Sequence, residues 1–214
     1  METENRNENE FETEAELPET DTVPAKVGSD ITKKIAASLF EIIEMFAICT
    51  AVILLLFSYS TRLTVVEGSS MEDTLHDKDY LIVQDLGYTP TRGDIVVIQK
   101  IDAQPYHNPI IKRVIAVEGD TVDIDFDTWT VYVNGEAIDE PYVNLEPGHT
   151  YCDQKLPLTV EKDKIFVMGD HRNYSADSRT LQIGQVDERC VLGRAVLRIL
   201  PADKFGLMER AKYE

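Results

Sequence analysis

Pro109-Ile-Ile-Lys-Arg-Val-Ile-Ala-Val117 is the stretch from which the fold can be predicted. Its length and its β-branched residues indicate a buried strand. Successive side chains of a strand point to opposite faces, so either Lys112 or Arg113 must point to the less solvated face. Desolvation lowers the pKa of a lysine and leaves a neutral amine that can act as a base. The more ordinary interpretation is an edge-strand lysine that blocks unwanted sheet pairing.

Further short runs rich in Val, Ile and Tyr lie on both sides of this stretch. Turn residues separate them, and Asn134-Gly135 after Val-Tyr-Val is a strong hairpin signal. The predicted strands are Leu63–Val66, Tyr80–Gln84, Ile95–Gln99, Ile111–Val117, Thr121–Ile124, Thr130–Val133, Ile165–Met168 and Cys190–Ile199. They predict a mainly β domain over residues 60–202, with antiparallel sheets forming a compact barrel-like body.

Three parts of this region depart from the strand pattern. Residues 125–164 carry three prolines and are predicted to form a smaller insertion between two core strands. Helical periodicity is limited to a short stretch near residues 71–77 and to the chain after Pro201. Residues 203–214 are predicted to be a C-terminal tail.

An apolar segment, Ile35–Tyr59, precedes the β region and predicts a transmembrane helix over residues 33–59. The alternative is a buried amphipathic helix of a soluble protein, but the polar start of a separate domain follows directly and no partner helix does. Glu41 and Glu44 lie in the first third, where a carboxylate is less unfavourable than at the bilayer centre. Lysines at 26, 33 and 34 flank the N-terminal side and only Arg62 the other, which predicts a cytoplasmic N-terminus.

The net charge of −18 argues against a nucleic-acid partner, because phosphate contacts need clustered Lys and Arg. The acidity is uneven, and the first twenty residues are crowded with Glu. Residues 1–32 are predicted to be a disordered acidic cytoplasmic tail, because so polar a stretch cannot bury enough apolar surface. The three cysteines lack metal or redox spacing. Whether Cys152 and Cys190 pair stays open, since bridging requires a short Cα–Cα distance.

Two serines follow the first predicted strand, at a turn that begins with Gly68. Ser69 and Ser70 are equally eligible as a nucleophile, which needs an exposed hydroxyl beside a free backbone N–H. A serine nucleophile needs a base, and the four histidines show no spacing that identifies one of them. A neutral lysine is the other known solution, and Lys112 is the candidate.

A polar loop, Met168-Gly-Asp-His-Arg-Asn-Tyr-Ser-Ala-Asp-Ser-Arg179, follows the strand Ile165–Met168. Its charged residues, Asp170, Arg172, Asp177 and Arg179, are predicted to pair within the loop. Ser175 could hydrogen-bond to a nearby amine. A purely structural turn cluster is the ordinary alternative.

Together these segments resemble the type I signal peptidases. Val66-Glu-Gly-Ser-Ser-Met-Glu-Asp-Thr-Leu75 is similar to the family's nucleophile box V-x-G-x-S-M-x-P-T-L, which points to Ser70 and not Ser69. Arg92–Val96 resembles the box R-G-D-I-V. Residues 112–120 resemble K-R-V-x-x-x-x-G-D, and residues 169–179 resemble the last box, G-D-N-R-x-N-S-x-D-S-R.

The resemblance implies that Ser70 is the nucleophile and Lys112 the general base. It implies an oxyanion hole that contains the backbone N–H of Ser70. In some members a serine hydroxyl two residues before the nucleophile is a second donor to the oxyanion. Here that position is Gly68, which has no side-chain donor. Other implied roles are orientation of Lys112 by Ser175 and support of the site by Met71, Arg113, Asp170, Arg172, Asp177 and Arg179. The sequence departs from the family pattern at Asp73, His171 and Tyr174, which replace proline and two asparagines.

The function implied is a membrane-bound serine endopeptidase that removes N-terminal signal peptides from exported preproteins. It would act outside a bacterial cell membrane, as a single-pass and monomeric protein in contact with the lipid bilayer, and would need no cofactor and no metal. A peptidase dedicated to a few substrates such as pilins is an alternative. A membrane-tethered β scaffold without activity is another. A soluble self-cleaving repressor is disfavoured, because the chain has an apolar anchor and no DNA-binding region.

Overall fold

The computed structural model describes residues 25–99, 108–148 and 150–213, and within the long helix it describes the side chains of residues 33–55 and Ser60. The chain divides into two compact units, Met1–Val52 and Ile53–Glu214.

The first element is the helix α1, Ala25–Ser60. Its part Lys33–Leu55 is long and apolar enough to cross a membrane, with a mean hydropathy of 2.2 and exposed side chains. At 1.5 Å per residue this part is about 35 Å long, which matches a hydrocarbon core of about 30 Å. The helix predicted over residues 33–59 lies within α1. The predicted disordered tail is wrong from Ala25 onward, because those residues continue the helix, and residues 1–24 lie outside the described part.

Twelve strands follow in the described residues. They are β1 Thr61–Val65, β2 Tyr80–Gln84, β3 Ile95–Ile98, β4 Ile110–Val117, β5 Thr121–Ile124, β6 Val131–Val133, β7 Glu136–Ala137, β8 Leu158–Thr159, β9 Lys164–Met168, β10 Val186–Asp187, β11 Val191–Leu200 and β12 Gly206–Leu207. Short 3-10 helices lie at Arg172–Tyr174, Glu188–Cys190 and Ala202–Lys204. Every predicted strand is present, with bounds that differ by at most two residues.

The larger sheet has the strand order β1-β2-β11-β3-β4-β9-β10, with β12 attached to β11. The smaller sheet has the order β7-β6-β5-β8. Neighbouring strands of both sheets pair antiparallel, for example Val96 with Lys112 between β3 and β4. The prediction of a mainly β, antiparallel fold preceded by one apolar helix is confirmed. The insertion predicted at residues 125–164 begins earlier, because β5 already belongs to the smaller sheet.

The two stretches with short helical periodicity form no α-helix. Near residues 71–77 the chain makes a single turn, closed by the Leu75 N–H on the Met71 carbonyl oxygen at 2.8 Å. After Pro201 a 3-10 helix leads into β12, which pairs with β11 through Leu207 and Leu197. The predicted tail is therefore packed against the domain, because Met208 also contacts the apolar core.

One core cluster fixes the segment between β1 and β2. Val66, Met71 and Leu75 are at most 2% exposed and pack with Ile95 and Ile111 of the sheet. Full burial of such a side chain contributes about 2 kcal/mol. The segment that carries the two candidate serines is thus held at both ends by apolar packing.

Candidate active site

A cleft of about 500 Å³ lies between the segment after β1 and the beginning of β4. Its lining residues are Glu67, Gly68, Ser69, Ser70, Asn108, Pro109, Ile110, Lys112, Tyr174 and Ala176. The cleft therefore contains both candidate serines and the candidate base.

Lys112 and Ser70 contact each other directly. The Lys112 Nζ lies 2.5 Å from the Ser70 Oγ, although 42 residues separate them in the chain. Lys112 is 3% exposed, and burial lowers its pKa from 10.5 to about 8. The carboxylates of Asp177 and Asp170 oppose that shift, and Arg179 adds to it. Lys112, in a strand rich in Ile and Val, thus places a buried amine beside the Ser70 hydroxyl.

Gly68 allows the chain to turn from β1 towards the serines. Its φ of +86° belongs to the left-handed region, which favours glycine. Its backbone N–H donates to Asp77 Oδ1 at 2.9 Å, and this bond holds the pKa of Asp77 below its usual range. That N–H is therefore already bonded to Asp77. The oxyanion role of Gly68 stays a prediction.

Asp177 is the fully buried centre of the polar loop after β9. Its carboxylate accepts hydrogen bonds from Arg179 Nε and Nη2 at 2.8 Å, from Ser175 Oγ at 2.6 Å and from the Gly169 N–H at 3.0 Å. Burial acts to raise its pKa, but Arg179 and these hydrogen bonds hold the pKa below the usual range. Ser175 thus contacts Asp177, whose negative charge acts on Lys112. The role of Ser175 in orienting Lys112 stays a prediction.

The predicted pairing within the loop is right for Asp177 with Arg179 and wrong for the other two charges. Asp170 pairs with Arg113 of β4, through bonds of 2.9 and 2.6 Å. Arg172 pairs with Glu140, at 3.0 and 2.5 Å. Both long-range pairs are bidentate, as the local pair of Asp177 with Arg179 also is. The loop is consequently fastened to β4 and to the insertion.

Asp170 also reaches the serine-bearing segment. The Thr74 hydroxyl donates to Asp170 Oδ2 at 2.6 Å. Arg113 and Asp170 are 3% and at most 1% exposed. A buried ion pair at Arg113 of β4, beside Lys112 in the chain, therefore connects the loop after β9 with the segment that carries Ser70.

The three departures from the family pattern lie at different places. Asp73 is exposed, and the carboxylates that act on Lys112 are Asp177 and Asp170 instead. His171 is 6% exposed; its ring Nδ1 lies 3.3 Å from the Ser69 carbonyl oxygen, and its backbone N–H donates to the Ser70 carbonyl oxygen at 3.1 Å. Tyr174 is 61% exposed in the wall of the cleft, with its ring edge-on to His171.

Comparison with known proteins identifies the family. The sequence model described as signal peptidase, peptidase S26, matches residues 39–200. The chain belongs to this signal peptidase family.

Curated relatives agree with that membership. A signal peptidase I of Leptolyngbya laminosa is 31% identical over 201 residues, which cover 90% of this chain and 95% of that protein. A probable signal peptidase I-2 of Synechocystis is 38% identical over 149 residues, covering 67% of this chain and 65% of that protein. The crystal structure of a signal peptidase I from Enterococcus faecalis is 29% identical, with a TM-score of 0.41 over 50% of this chain and 97% of the other.

Sequence reasoning missed three residues that complete the site of this signal peptidase. They are Thr74, Glu140 and Tyr142, which contact Asp170, Arg172 and Arg113 respectively. Glu140 and Tyr142 lie in the insertion, far along the chain from their partners. A useful signal was Arg172 itself, because a buried arginine needs a carboxylate partner and its partner, Glu140, lies outside the boxes.

The remaining predicted features are accounted for as follows. Met71 packs in the core beside Ser70, and its supporting role stays a prediction. Cys152 and Cys190 are separate thiols. Among the described residues no group of three acidic, histidine or cysteine side chains could hold a metal ion. His107 and His149 lie outside the described residues.

Proposed function

We propose that this family member is a membrane-bound serine endopeptidase that cleaves N-terminal signal peptides from exported preproteins with Ser70 and Lys112. The observation that carries the proposal is the 2.5 Å contact between Lys112 Nζ and Ser70 Oγ in a buried setting. Membership in the signal peptidase family supports the substrate class.

The chemistry follows from the state of the lysine. The neutral amine of Lys112 takes the proton of the Ser70 hydroxyl while Ser70 Oγ bonds to the scissile carbonyl carbon. The backbone N–H of Ser70 stabilises the oxyanion. The lysine then gives the proton to the departing amine, and a water activated by the same amine hydrolyses the acyl-enzyme.

Burial makes this chemistry accessible near neutral pH. With a pKa of about 8, roughly one Lys112 in ten is neutral at pH 7, whereas an ordinary lysine is almost wholly protonated. Asp177 and Asp170 limit the shift, so the amine stays basic enough to accept the serine proton.

The helix α1 supports action at a membrane. Ser70 follows the end of α1 at Ser60 by about ten residues, so an anchored helix would confine the site near a bilayer surface and raise its effective concentration there. We propose a cytoplasmic N-terminus, an extracytoplasmic β domain and a substrate that lies extended in the cleft.

Cleavage of a preprotein by the full chain in detergent or vesicles tests the proposal. Ser70→Ala and Lys112→Ala should each abolish cleavage of a preprotein with Ala-x-Ala before the cut. Lys164→Ala is the matched control, because Lys164 is a partly exposed lysine paired with Glu161. Full activity of Lys112→Ala would contradict the proposal.

A further inference from the structure

The last described residues, 206–213, form a C-terminal strap on the β domain and lie beyond the residues matched by the family model. The strap begins with β12 on β11. The Met208 N–H then donates to the Val196 carbonyl oxygen at 3.0 Å, and the Ala211 N–H donates to the Gly93 carbonyl oxygen at 3.2 Å. Backbone hydrogen bonds thus hold the strap from Gly206 to Ala211.

The strap and the loop before β3 fit closely. A Cβ on Gly93 would lie 2.0 Å from the Ala211 carbonyl oxygen, so only glycine permits this approach. Next to it, Arg210 donates to both oxygens of the buried Asp94, at 2.8 and 3.2 Å. The position of the strap is therefore specified by backbone contact and by charge.

The strap ends at Tyr213, whose hydroxyl lies 2.7 Å from the Tyr142 hydroxyl. Burial raises the pKa of both tyrosines, so both hydroxyls stay protonated and neutral. The ring of Tyr142 lies under the Arg113 guanidinium, with 3.9 Å between Arg113 Cζ and the ring centroid. This is the distance of a cation–π contact.

Both ends of this contact chain meet at Arg113. The Gly93 carbonyl oxygen that accepts from Ala211 also accepts from Arg113 Nη1, at 3.0 Å. Arg113 in turn binds both oxygens of Asp170, and Asp170 accepts from Thr74. The strap thus contacts two of the groups that hold the buried ion pair behind the catalytic cleft.

We propose that Tyr213 is a positioning residue: through Tyr142 and Arg113 it holds Asp170, and with it the segment that carries Ser70. The inference rests on the proposed function. A purely structural strap would stabilise the domain without affecting the reaction, and the two roles make different predictions.

Kinetics of the full chain in detergent separate them. Tyr213→Ala should lower kcat for a preprotein by about tenfold with KM changed less than about twofold, because a small misplacement of reacting groups slows the chemical step. Tyr213→Phe should lower kcat by less than about threefold, because the ring remains and Tyr142 keeps its hydrogen bond to Glu140 at 2.8 Å. Lys212→Ala, at an exposed position of the strap, is the matched control and should behave like the parent chain.

NMR titration of the Lys112 amine gives a second result that needs no substrate. Asp170 raises the pKa of Lys112, so an Asp170 that is no longer held in place in Tyr213→Ala should act less on the amine and move the titration midpoint to lower pH. A Tyr213→Ala chain that melts earlier yet keeps the parental kcat and midpoint would overturn the inference. If the parent chain cleaves no preprotein while Tyr213→Ala still moves the midpoint, the proposed function fails and the positioning role stands.

Discussion

Lys112 combines two demands that oppose each other. In the proposed mechanism its amine must lose a proton to act as a base, and it must stay close enough to Asp177 and Asp170 to keep its basicity. Burial lowers its pKa to about 8 against the pull of these carboxylates. The balance between desolvation and charge is what distinguishes this lysine from the exposed lysines of the chain.

The pH dependence of cleavage should follow that balance. Only the neutral amine is active and the proton is lost as pH rises, so kcat/KM should increase through about pH 8 and level off above it. Steady-state rates on a preprotein between pH 6 and 10 measure this. Activity that is constant from pH 6 to 8 would contradict a lysine base.

The same burial should reduce stability at neutral pH. Below about pH 8 the folded chain holds a buried charged amine, which lowers the free energy of unfolding. This loss of stability shrinks as pH rises from about 8 and is gone above 10.5, where the unfolded chain has also lost the proton. Lys112→Met should therefore be inactive but more stable at pH 7, by about 2 kcal/mol after loss of the bond to Ser70. Denaturant unfolding at pH 7 and pH 10.5 checks this, with the gain smaller at pH 10.5.

At the scale of elements, Gly169 lies where two loops meet. A Cβ at this position would lie 2.2 Å from Ser175 Oγ and 2.5 Å from the Ser70 carbonyl oxygen. Gly169→Ala should push these segments apart and lower kcat by at least about tenfold. Gly206→Ala is the control, because a Cβ there meets nothing within 4 Å. Equal activity of both variants in a preprotein assay would show that the contact is unimportant.

Elements were predictable where local pattern decides them. Ile111–Val117 and Tyr80–Gln84 show the composition of buried strands, and both are strands in the structure. The segment after Pro201 shows only a short helical periodicity, and pairing with β11 overrides it. The ion pair of Arg113 with Asp170 joins residues 57 apart, and no local signal carries such a partner. The Ser70–Lys112 pairing was predictable only through the family boxes. By local pattern alone, Ser69 is as good a candidate nucleophile as Ser70.

At the scale of the whole molecule, an apolar helix and a β domain are separate units, and the proposed orientation places the chain's two ends on opposite sides of a membrane. Cys152, half-buried in the β domain, can report this. In a Cys49→Ser, Cys190→Ser chain, a membrane-impermeant maleimide should label Cys152 in intact cells, because the positive flank keeps the N-terminus inside. Detergent-treated cells are the control. Labelling only after lysis would reverse the orientation.

The distance between Ser70 and Lys112 along the chain has a consequence for the cell that makes the protein. In an unfolded chain Lys112 is an ordinary lysine with a pKa near 10.4, protonated and remote from any serine. In the proposed mechanism, the base forms only when the β domain folds around Lys112, lowers its pKa and brings it to Ser70, so the capacity to cut arises together with the fold. A chain that is still unfolded would accordingly be inactive.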